Sequence, residues 1–358
     1  MSEQVQLMID WIEDRLTEEI SLNDMSYDVG YSPYYCSFKF HQAAGISIRR
    51  YILLRRLYLS SVDLKNGDRI LDTAVEYGYS SQESYSRAFK SVFGISPGLF
   101  QLQKQPVQSY VRLFINDAGS GIKMNISRKL EVRQLQNKNK KLFDQDVLNV
   151  LNGQHMYEEF KQNTLMGNSD YVPFNEAMSV NEAVEPIFGE HFIDVRSSGH
   201  NETVENYMRK VIHPLSPLFD KTYQYIVLWF GEDMFCQMNL LTILAYLEQS
   251  GYSGRVYLNT FREDAFKVNQ TEIILGNYSE VYQSVLIRHE ISSSNVFPLM
   301  FQAVKIYLDM LHDDNEVMKY ISEHQHLPEK ELVPRLFNLF PEIGYGDTQY
   351  IHLINKMK

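Results

Sequence analysis

Apolar and polar residues recur at helical spacing in the stretch from Arg69 to Phe100, RILDTAVEYGYSSQESYSRAFKSVFGISPGLF. Gly78 interrupts the pattern, and Ser80 is placed to begin a second helix. The apolar positions of the two helices are Ile70, Ala74, Val75, Tyr85, Ala88 and Phe89. Two short helices joined by a glycine-containing turn, the second with a polar outer face, predict a helix-turn-helix.

A similar pair of short helices is predicted earlier in the chain. Ser21 is placed to cap a helix that Gly30 ends, and a second helix runs from Pro33 to about Ala43. Between the two units, residues 48–65 carry one continuous apolar stripe, which predicts a single rigid helix. Such a helix would fix the distance between the second helices of the two units, so that both could enter successive major grooves on one face of DNA.

The pattern changes after Asp146 to short apolar strands that alternate with helices. The strongest strand pattern is TYQYIVLWF, and the long apolar helix MFCQMNLLTILAYLEQSG follows it. This alternation predicts an α/β fold with a mostly parallel sheet and helices on both faces. The last segment is helical again, and it could cap the sheet or form a small module of its own.

The chain is therefore predicted to be multi-domain, because 358 residues exceed what one hydrophobic core usually serves. An all-α domain with two helix-turn-helix units covers residues 1–105, and residues 106–145 form a linker. An α/β domain with a regulatory role covers residues 146–295, and a helical segment covers residues 296–358.

The net charge of −11 changes the expected strength of nucleic-acid binding. Residues 1–105 carry eleven Lys and Arg against thirteen Asp and Glu, which gives −2. Non-specific affinity for phosphates should therefore be weak, and binding would depend on local basic clusters.

Cysteine usage and hydropathy exclude several classes of protein. Cys36 and Cys236 have no paired spacing, so we expect neither a disulfide framework nor a metal site, and no motif requires a cofactor. No apolar run is long enough to span a bilayer, and the N-terminus is acidic and amphipathic, unlike a signal peptide. We expect a cytoplasmic protein without membrane contact.

The stretches YYCSFKFHQAAGIS and YGYSSQESYSRAFKSVFGISP identify a family resemblance. The segment from Ser21 to Phe100 resembles the seven-helix DNA-binding domain of AraC-family transcription regulators. This resemblance implies double-stranded DNA as the partner and leaves open whether the protein is an activator or a repressor. Because the acidic context makes the module a weak binder on its own, we expect two chains to pair as a homodimer. Two positions depart from the pattern: Phe38 lies where relatives often carry a basic residue, and Gln101 where arginine is common.

Candidate base contacts follow from the motif positions. They are Tyr34, Ser37 and Phe38 in the first unit, and Gln82, Glu83 and Arg87 in the second. Arginine can bind guanine with two hydrogen bonds, glutamine can pair with adenine, and glutamate can accept from cytosine; the two aromatic rings could pack on thymine methyl groups. In the alternative interpretation Glu83 completes a capping box with Ser80, and Phe38 is buried.

Candidate phosphate contacts are the basic residues beside the two units. They are Lys39, Arg49, Arg50, Arg55, Arg56 and Lys90, each of which could also be ordinary surface charge. The predicted linker is basic as well, through Lys123, Arg128, Lys129, Arg133, Lys138, Lys140 and Lys141. It is either a solvated connection or a further phosphate-binding segment.

Polar residues follow the predicted strands of the α/β domain. They are Asn152, Gly153, Gln154, Asn175, Glu176, Glu232, Asp233 and Gln237. Right-handed crossovers would bring them to one rim of the sheet, where such folds bind small polar ligands. The alternative is that these residue types form turns and helix N-termini. This part of the chain also resembles an uncharacterised bacterial Rossmann-like domain, in NGQHMYEEF, YVPFNEAM and LWFGEDMFCQMNLLTILAYL.

The predicted function is that of a sequence-specific DNA-binding regulator. Its C-terminal α/β domain would sense a small-molecule effector or mediate dimerisation. The competing hypothesis is an α/β ligand-binding or catalytic protein with a degenerate DNA-binding module. We do not expect an enzyme, because the sequence has no H-E-x-x-H metal-binding motif and no phosphate-binding loop.

Overall fold

A computed structural model describes residues 2–115, 131–132, 134–135, 140–262, 267–292 and 296–357. These residues form two compact units. The first unit combines the N-terminal helices with the residues from His312 onward, and the second contains the residues between them, up to Leu311.

Seven helices form the N-terminal part of the first unit. They are α1 (Ser2–Glu13), α2 (Leu22–Asp28), α3 (Pro33–Ala44), α4 (Ile48–Asn66), α5 (Ile70–Glu76), α6 (Gln82–Phe93) and α7 (Pro97–Gln103). The pairs α2–α3 and α5–α6 are the two predicted helix-turn-helix units. The 19-residue helix α4 connects them, as its unbroken apolar stripe predicted.

Serine and glycine residues determine where these helices begin and end. The side chains of Ser32, Ser47, Ser81 and Ser96 each accept a hydrogen bond from the backbone N–H three residues ahead. Gly45 ends α3 in the left-handed region, with φ of 71°, where a residue without Cβ avoids strain. Two details of the prediction were wrong: Ser81 rather than Ser80 caps α6, and Val75 is 64% exposed.

Two hydrophobic clusters share α4 as a common support. One cluster lies among α1, α2, α3 and the start of α4, and includes Met8, Ile9, Ile12, Cys36 and Phe40. The other joins the rest of α4 to α5, α6 and α7, and includes Leu57, Tyr85, Phe89, Phe93 and Phe100. Each helix-turn-helix therefore has its own core.

The second unit is built on a five-stranded mixed sheet. The strands are β1 (Val147–Asn152), β2 (Asp170–Phe174), β3 (Tyr225–Trp229), β4 (Arg255–Arg262) and β5 (Lys267–Ile273), in the order β2-β1-β3-β4-β5. The pairings among the first four strands are parallel, as expected, but β5 is antiparallel to β4. Only residues 263–266 separate β4 from β5, and a parallel crossover needs a dozen residues or more.

Several helices accompany the sheet in the described part of this unit. They are α8 (Gln154–Gln162), α9 (Glu190–Gly199), α10 (Val204–Tyr207), α11 (Ser216–Asp220), α12 (Met234–Gln249), α13 (Tyr278–Tyr282) and α14 (Phe301–Met310), with short 3-10 and π turns between them. Every residue of β3 is buried, so both faces of the sheet are covered. Val132, Leu135, Leu142 and Phe143, which the sequence assigned to a linker, lie in the core of this unit.

Three further helices complete the first unit. They are α15 (Glu316–Glu323), α16 (Glu329–Leu339) and α17 (Asp347–Lys356). The structure divides the predicted segment 296–358, because α14 packs on α12 of the sheet unit whereas α16 packs on α3 and α17. The buried apolar side chains follow the same division. Ala303, Val304 and Tyr307 of α14 are buried in the sheet unit, and Leu332, Leu336 and Ile354 are buried in the first unit.

Candidate nucleic-acid interface

The outer face of α3 carries all three candidate base contacts of the first helix-turn-helix. Cys36 and Phe40 are buried against the core, which leaves Ser37 exposed on the other side. Tyr34 is 81% exposed and Phe38 is 51% exposed, so the alternative of a buried Phe38 is wrong. Two aromatic rings at the surface of one helix form an apolar strip that could contact thymine methyl groups.

Lys39 brings a positive charge to the same face of α3. Its Nζ atom lies 5.5 Å from the centre of the Phe38 ring and 3.0 Å from Oε1 of Gln42. This cation–π contact places a positive charge beside the apolar strip of α3.

The outer face of α6 is polar along its whole length. Gln82, Glu83, Arg87 and Lys90 are exposed, whereas Tyr85, Phe89, Val92 and Phe93 are buried. This face offers an amide, a carboxylate and a guanidinium at the first two turns of the helix. Such groups can recognise adenine, cytosine and guanine, respectively.

Glu83 is not part of a capping box, because Ser81 and Ser84 form that box between themselves. A hydrogen bond from its own backbone N–H, helped by the Ser81 hydroxyl, lowers the pKa of Glu83. The side chain is therefore ionised and acts only as an acceptor at neutral pH.

Arg55 was predicted to bind phosphate, and the structure contradicts this. Its guanidinium is buried and holds Glu13 with two hydrogen bonds, Nε to Oε1 at 2.8 Å and Nη2 to Oε2 at 2.7 Å. The Tyr51 hydroxyl donates to the same carboxylate at 2.6 Å, and Nη1 of Arg55 donates to the carbonyl oxygen of Tyr110. Residues 51 and 55 lie one turn apart on α4 and face α1, so the pair joins these helices.

Arg56 also has a role inside the fold. Its Nε atom donates to the carbonyl oxygen of Leu16 at 2.8 Å, and its Nη2 atom to that of Glu18 at 2.5 Å. The guanidinium also lies beside Gly78, where an added Cβ would be 3.1 Å from Nη1. Arg56 thus connects the chain after α1 with the turn of the second helix-turn-helix.

The remaining candidate phosphate contacts are exposed. Arg49 and Arg50 lie in the first turn of α4, and Lys90 lies in the last turn of α6. The basic residues of the predicted linker cannot be assessed: Lys123, Arg128, Lys129, Arg133 and Lys138 lie outside the described residues, as do the side chains of Lys140 and Lys141.

The predicted rim residues of the sheet domain lie at the carboxyl ends of β1, β2 and β3. Asn152 donates to Sγ of Cys236 at 2.9 Å and accepts from Asn239 at 3.0 Å. Asn175 donates to Gln154 at 3.1 Å. These side chains bind one another, so part of their hydrogen-bonding capacity is used within the rim.

Helix α12 begins at the same rim. Asp233 caps the helix by accepting from the N–H of Cys236 at 2.8 Å, and Gln237 is buried and donates to the carbonyl oxygen of Gly231. Burial raises the pKa of Cys236 well above its usual range. The thiol is therefore protonated at neutral pH and lacks the reactivity of a catalytic thiolate.

Glu176 does not lie on an open rim, which corrects the prediction. It is buried against the fully buried Arg196, with Oε1 2.8 Å from Nη2. Nε2 of His200 lies 2.7 Å from the same oxygen, and the Tyr207 hydroxyl donates to the other oxygen. Burial alone would raise the pKa of Glu176, but the hydrogen bond from His200 and the charge of Arg196 outweigh it and hold the pKa well below its usual range.

Sequence reasoning missed this buried cluster because its members are far apart in the chain. Arg196 lies twenty residues after Glu176, and Tyr207 lies thirty-one residues after it. The signal available in the sequence was the spacing of Arg196, four residues after the apolar Phe192 and therefore on the same face of the helix.

The described ranges contain no candidate metal site and no candidate membrane span. No group of three or more His, Cys, Asp and Glu side chains there is placed to hold a metal ion. In the same part of the chain, no helix is both long and apolar enough to cross a bilayer.

Comparison with known proteins places the similarity in the N-terminal helices. A family described as a helix-turn-helix domain matches residues 25–103. The HTH-type transcriptional activator AarP of Providencia stuartii is 33% identical over 93 residues, which cover 26% of this chain and 69% of that protein. Regulatory protein SoxS of Salmonella typhimurium is 33% identical over 94 residues, which cover 26% of this chain and 88% of that protein.

Two further matches cover a similar share of this chain. The right origin-binding protein of Escherichia coli is 37% identical over 92 residues, 25% of this chain and 32% of that protein. A solved structure of an AraC-type regulator from Chromobacterium violaceum is 24% identical and covers 28% of this chain and 92% of that chain, with a TM-score of 0.28.

Proposed function

The chain belongs to the AraC-type family of helix-turn-helix transcription regulators, and we propose that it binds specific sequences of double-stranded DNA through α3 and α6. The supporting observation is the pair of capped, core-packed helices on either side of α4, each with its candidate base-contact side chains exposed to solvent. A 19-residue helix is about 28 Å long, close to the spacing of roughly 34 Å between successive major-groove segments on one DNA face.

The two reading helices have different chemistry, and we propose different roles for them. On α6, Gln82, Glu83 and Arg87 supply directional hydrogen bonds and most of the base discrimination. On α3, Tyr34 and Phe38 supply apolar contacts, with Ser37 able to donate or accept. Arg49, Arg50, Lys39 and Lys90 hold the phosphate backbone at either side.

The Arg87→Ala substitution tests the role of α6. We expect it to weaken binding to the preferred site by about 1–3 kcal/mol and to relax the preference at one base pair. Arg49→Ala is the matched control, because loss of a phosphate contact should weaken binding to all sequences alike. It should also make the slope of log affinity against log salt concentration shallower by about one. Fluorescence anisotropy with site variants at several salt concentrations distinguishes the two. Equal weakening on every sequence by Arg87→Ala would assign Arg87 to phosphate instead.

We propose that the sheet domain regulates DNA binding, either by sensing a small polar effector or by joining two chains. The rim residues Asn152, Gln154, Asn175 and Asp233, at the carboxyl ends of parallel strands, support effector binding. The net charge of −2 on residues 1–105 supports pairing, because two weak DNA contacts on one molecule reinforce each other. Sedimentation of the full chain, with and without operator DNA, tests the pairing.

The competing hypothesis is a ligand-binding or catalytic protein whose DNA-binding module no longer functions. The regulatory function of the relatives argues against an enzyme, and the protonated thiol of Cys236 offers no nucleophile at the rim. A full chain that shows no preference between operator and random DNA would favour this hypothesis.

A further inference from the structure

The C-terminal helices belong to the unit that contains α3. In sequence, the whole sheet domain separates residues 312–358 from the helix-turn-helix helices, yet α16 packs directly on α3. The chain thus leaves the first unit, forms the sheet domain and returns to complete the unit it left.

The contact between α3 and α16 is a close approach of two backbones. It joins Gly45, which ends α3, to Leu339, which ends α16. A Cβ atom built on Gly45 would lie 2.3 Å from the carbonyl oxygen of Leu339 and 3.2 Å from its carbonyl carbon. A backbone has no rotamers with which to adapt, so this contact fixes where the end of α3 lies.

The partner of α3 is a packed module and not a loose tail. Leu332, Val333 and Leu336 of α16 are buried. Aromatic contacts hold the module together: the ring centres of Phe337 and Tyr350 are 5.4 Å apart, and those of Tyr345 and Tyr350 are 5.7 Å apart. The module can therefore transmit a fixed position to α3.

The charge of this module argues against direct phosphate binding. Residues 312–358 carry eight Asp and Glu against five Lys and Arg. This excess of acids gives the module no general attraction for phosphates, so we expect its contribution to come from its contact with α3.

We propose that residues 312–358 are a positioning element for α3, so that recognition of the DNA half-site read by α3 depends on the C-terminus of the chain. This inference rests on the proposed function. Helix α6 has its own support in α4, α5 and α7, with which it shares the core around Phe89 and Phe93. Loss of the module should therefore impair one half-site and spare the other.

The substitution Gly45→Ala in the full chain tests this proposal, with Gly30→Ala as its matched control. Both glycines have left-handed backbones, with φ of 71° and 77°, and both belong to the first helix-turn-helix. Only Gly45 has a neighbour, since nothing lies within 4 Å of a Cβ on Gly30. Backbone strain is thus common to both variants, and the contact with Leu339 is specific to one.

We expect Gly45→Ala to reduce discrimination at the base pairs read by α3 about tenfold, while discrimination at those read by α6 is unchanged. Gly30→Ala should keep the discrimination at both sets of base pairs within about twofold of the wild-type value. Leu332→Ala, which removes a buried side chain of α16, should give the same selective loss as Gly45→Ala. Equal effects of Gly45→Ala and Gly30→Ala, or equal loss at both half-sites, would overturn the inference.

Hydrogen exchange of the α3 amides tests the contact without DNA. Exchange should be faster in Gly45→Ala and Leu332→Ala than in Gly30→Ala, because α3 loses its support. If the α3 amides of Gly45→Ala and Leu332→Ala exchange at the wild-type rate, the inference is overturned. The variants could show faster exchange while the wild-type chain shows no preference among DNA sequences. That combination would overturn the proposed function and leave the positioning of α3 by the module intact.

Discussion

Replacing Arg55 by alanine is expected to lower the free energy of unfolding of the first unit by about 3–5 kcal/mol, because it leaves the carboxylate of Glu13 buried without its cation. The side chains of both residues are only 8% exposed, so solvent would not compensate the loss. The hydroxyl of Tyr51 would remain as a partner of the carboxylate, and it is neutral.

Arg50→Ala provides the control for this substitution. Arg50 lies on the same helix but is exposed, so its loss should change stability by no more than about 0.5 kcal/mol. Chemical denaturation of the two variants, followed by circular dichroism, measures the difference. Arg50→Ala should also make the DNA affinity less dependent on salt concentration. The folded molecules of Arg55→Ala should keep the salt dependence of the wild-type chain. Equal stability of the two variants would contradict the assignment of Arg55 to the core.

Replacing Glu176 by glutamine is expected to destabilise the sheet unit by about 3–5 kcal/mol at neutral pH, because Arg196 would then be a buried charge without a counter-charge. Both side chains of this pair are fully buried. Glu205→Gln, an exposed change of the same chemistry on α10, should change stability by no more than about 0.5 kcal/mol.

The same pair predicts a pH dependence. The pKa of Glu176 is lowered in the folded chain, so the stability it contributes is fully present above its unfolded pKa of about 4.3 and is lost as the pH falls below that value. Unfolding of the wild-type chain between pH 7 and pH 3 should therefore show a decline in acid that Glu176→Gln largely lacks. Parallel curves for the two proteins would contradict the buried ion pair.

Local patterns predicted the helices of the DNA-binding unit well. The helix expected over residues 48–65 is α4, Ile48–Asn66, and the helix expected from Pro33 to about Ala43 is α3. Their capping serines and glycines act within a few residues of the helix ends, so the sequence contains the whole signal. The pattern also identified the solvent face of α6, because burial there follows helical periodicity.

Long-range contacts were not predictable in the same way. Arg55 has the spacing of a surface residue, and its burial depends on Glu13, forty-two positions earlier in the chain. Glu176 has the sequence context of a rim residue, and its burial depends on Arg196. The contact between Gly45 and Leu339 joins one residue that precedes the sheet domain in the sequence to one that follows it. No periodicity connects such partners, so only the folded structure reveals them.

Selection of preferred sites from a pool of random double-stranded DNA by the full chain tests the central claim most directly. The account predicts enrichment of a bipartite sequence with two contacted segments about one helical turn apart. Arg87→Ala should erase a preference in one segment, and Phe38→Ala should erase a preference in the other. Enrichment of no sequence over the starting pool, at low salt and with folded protein, would contradict it.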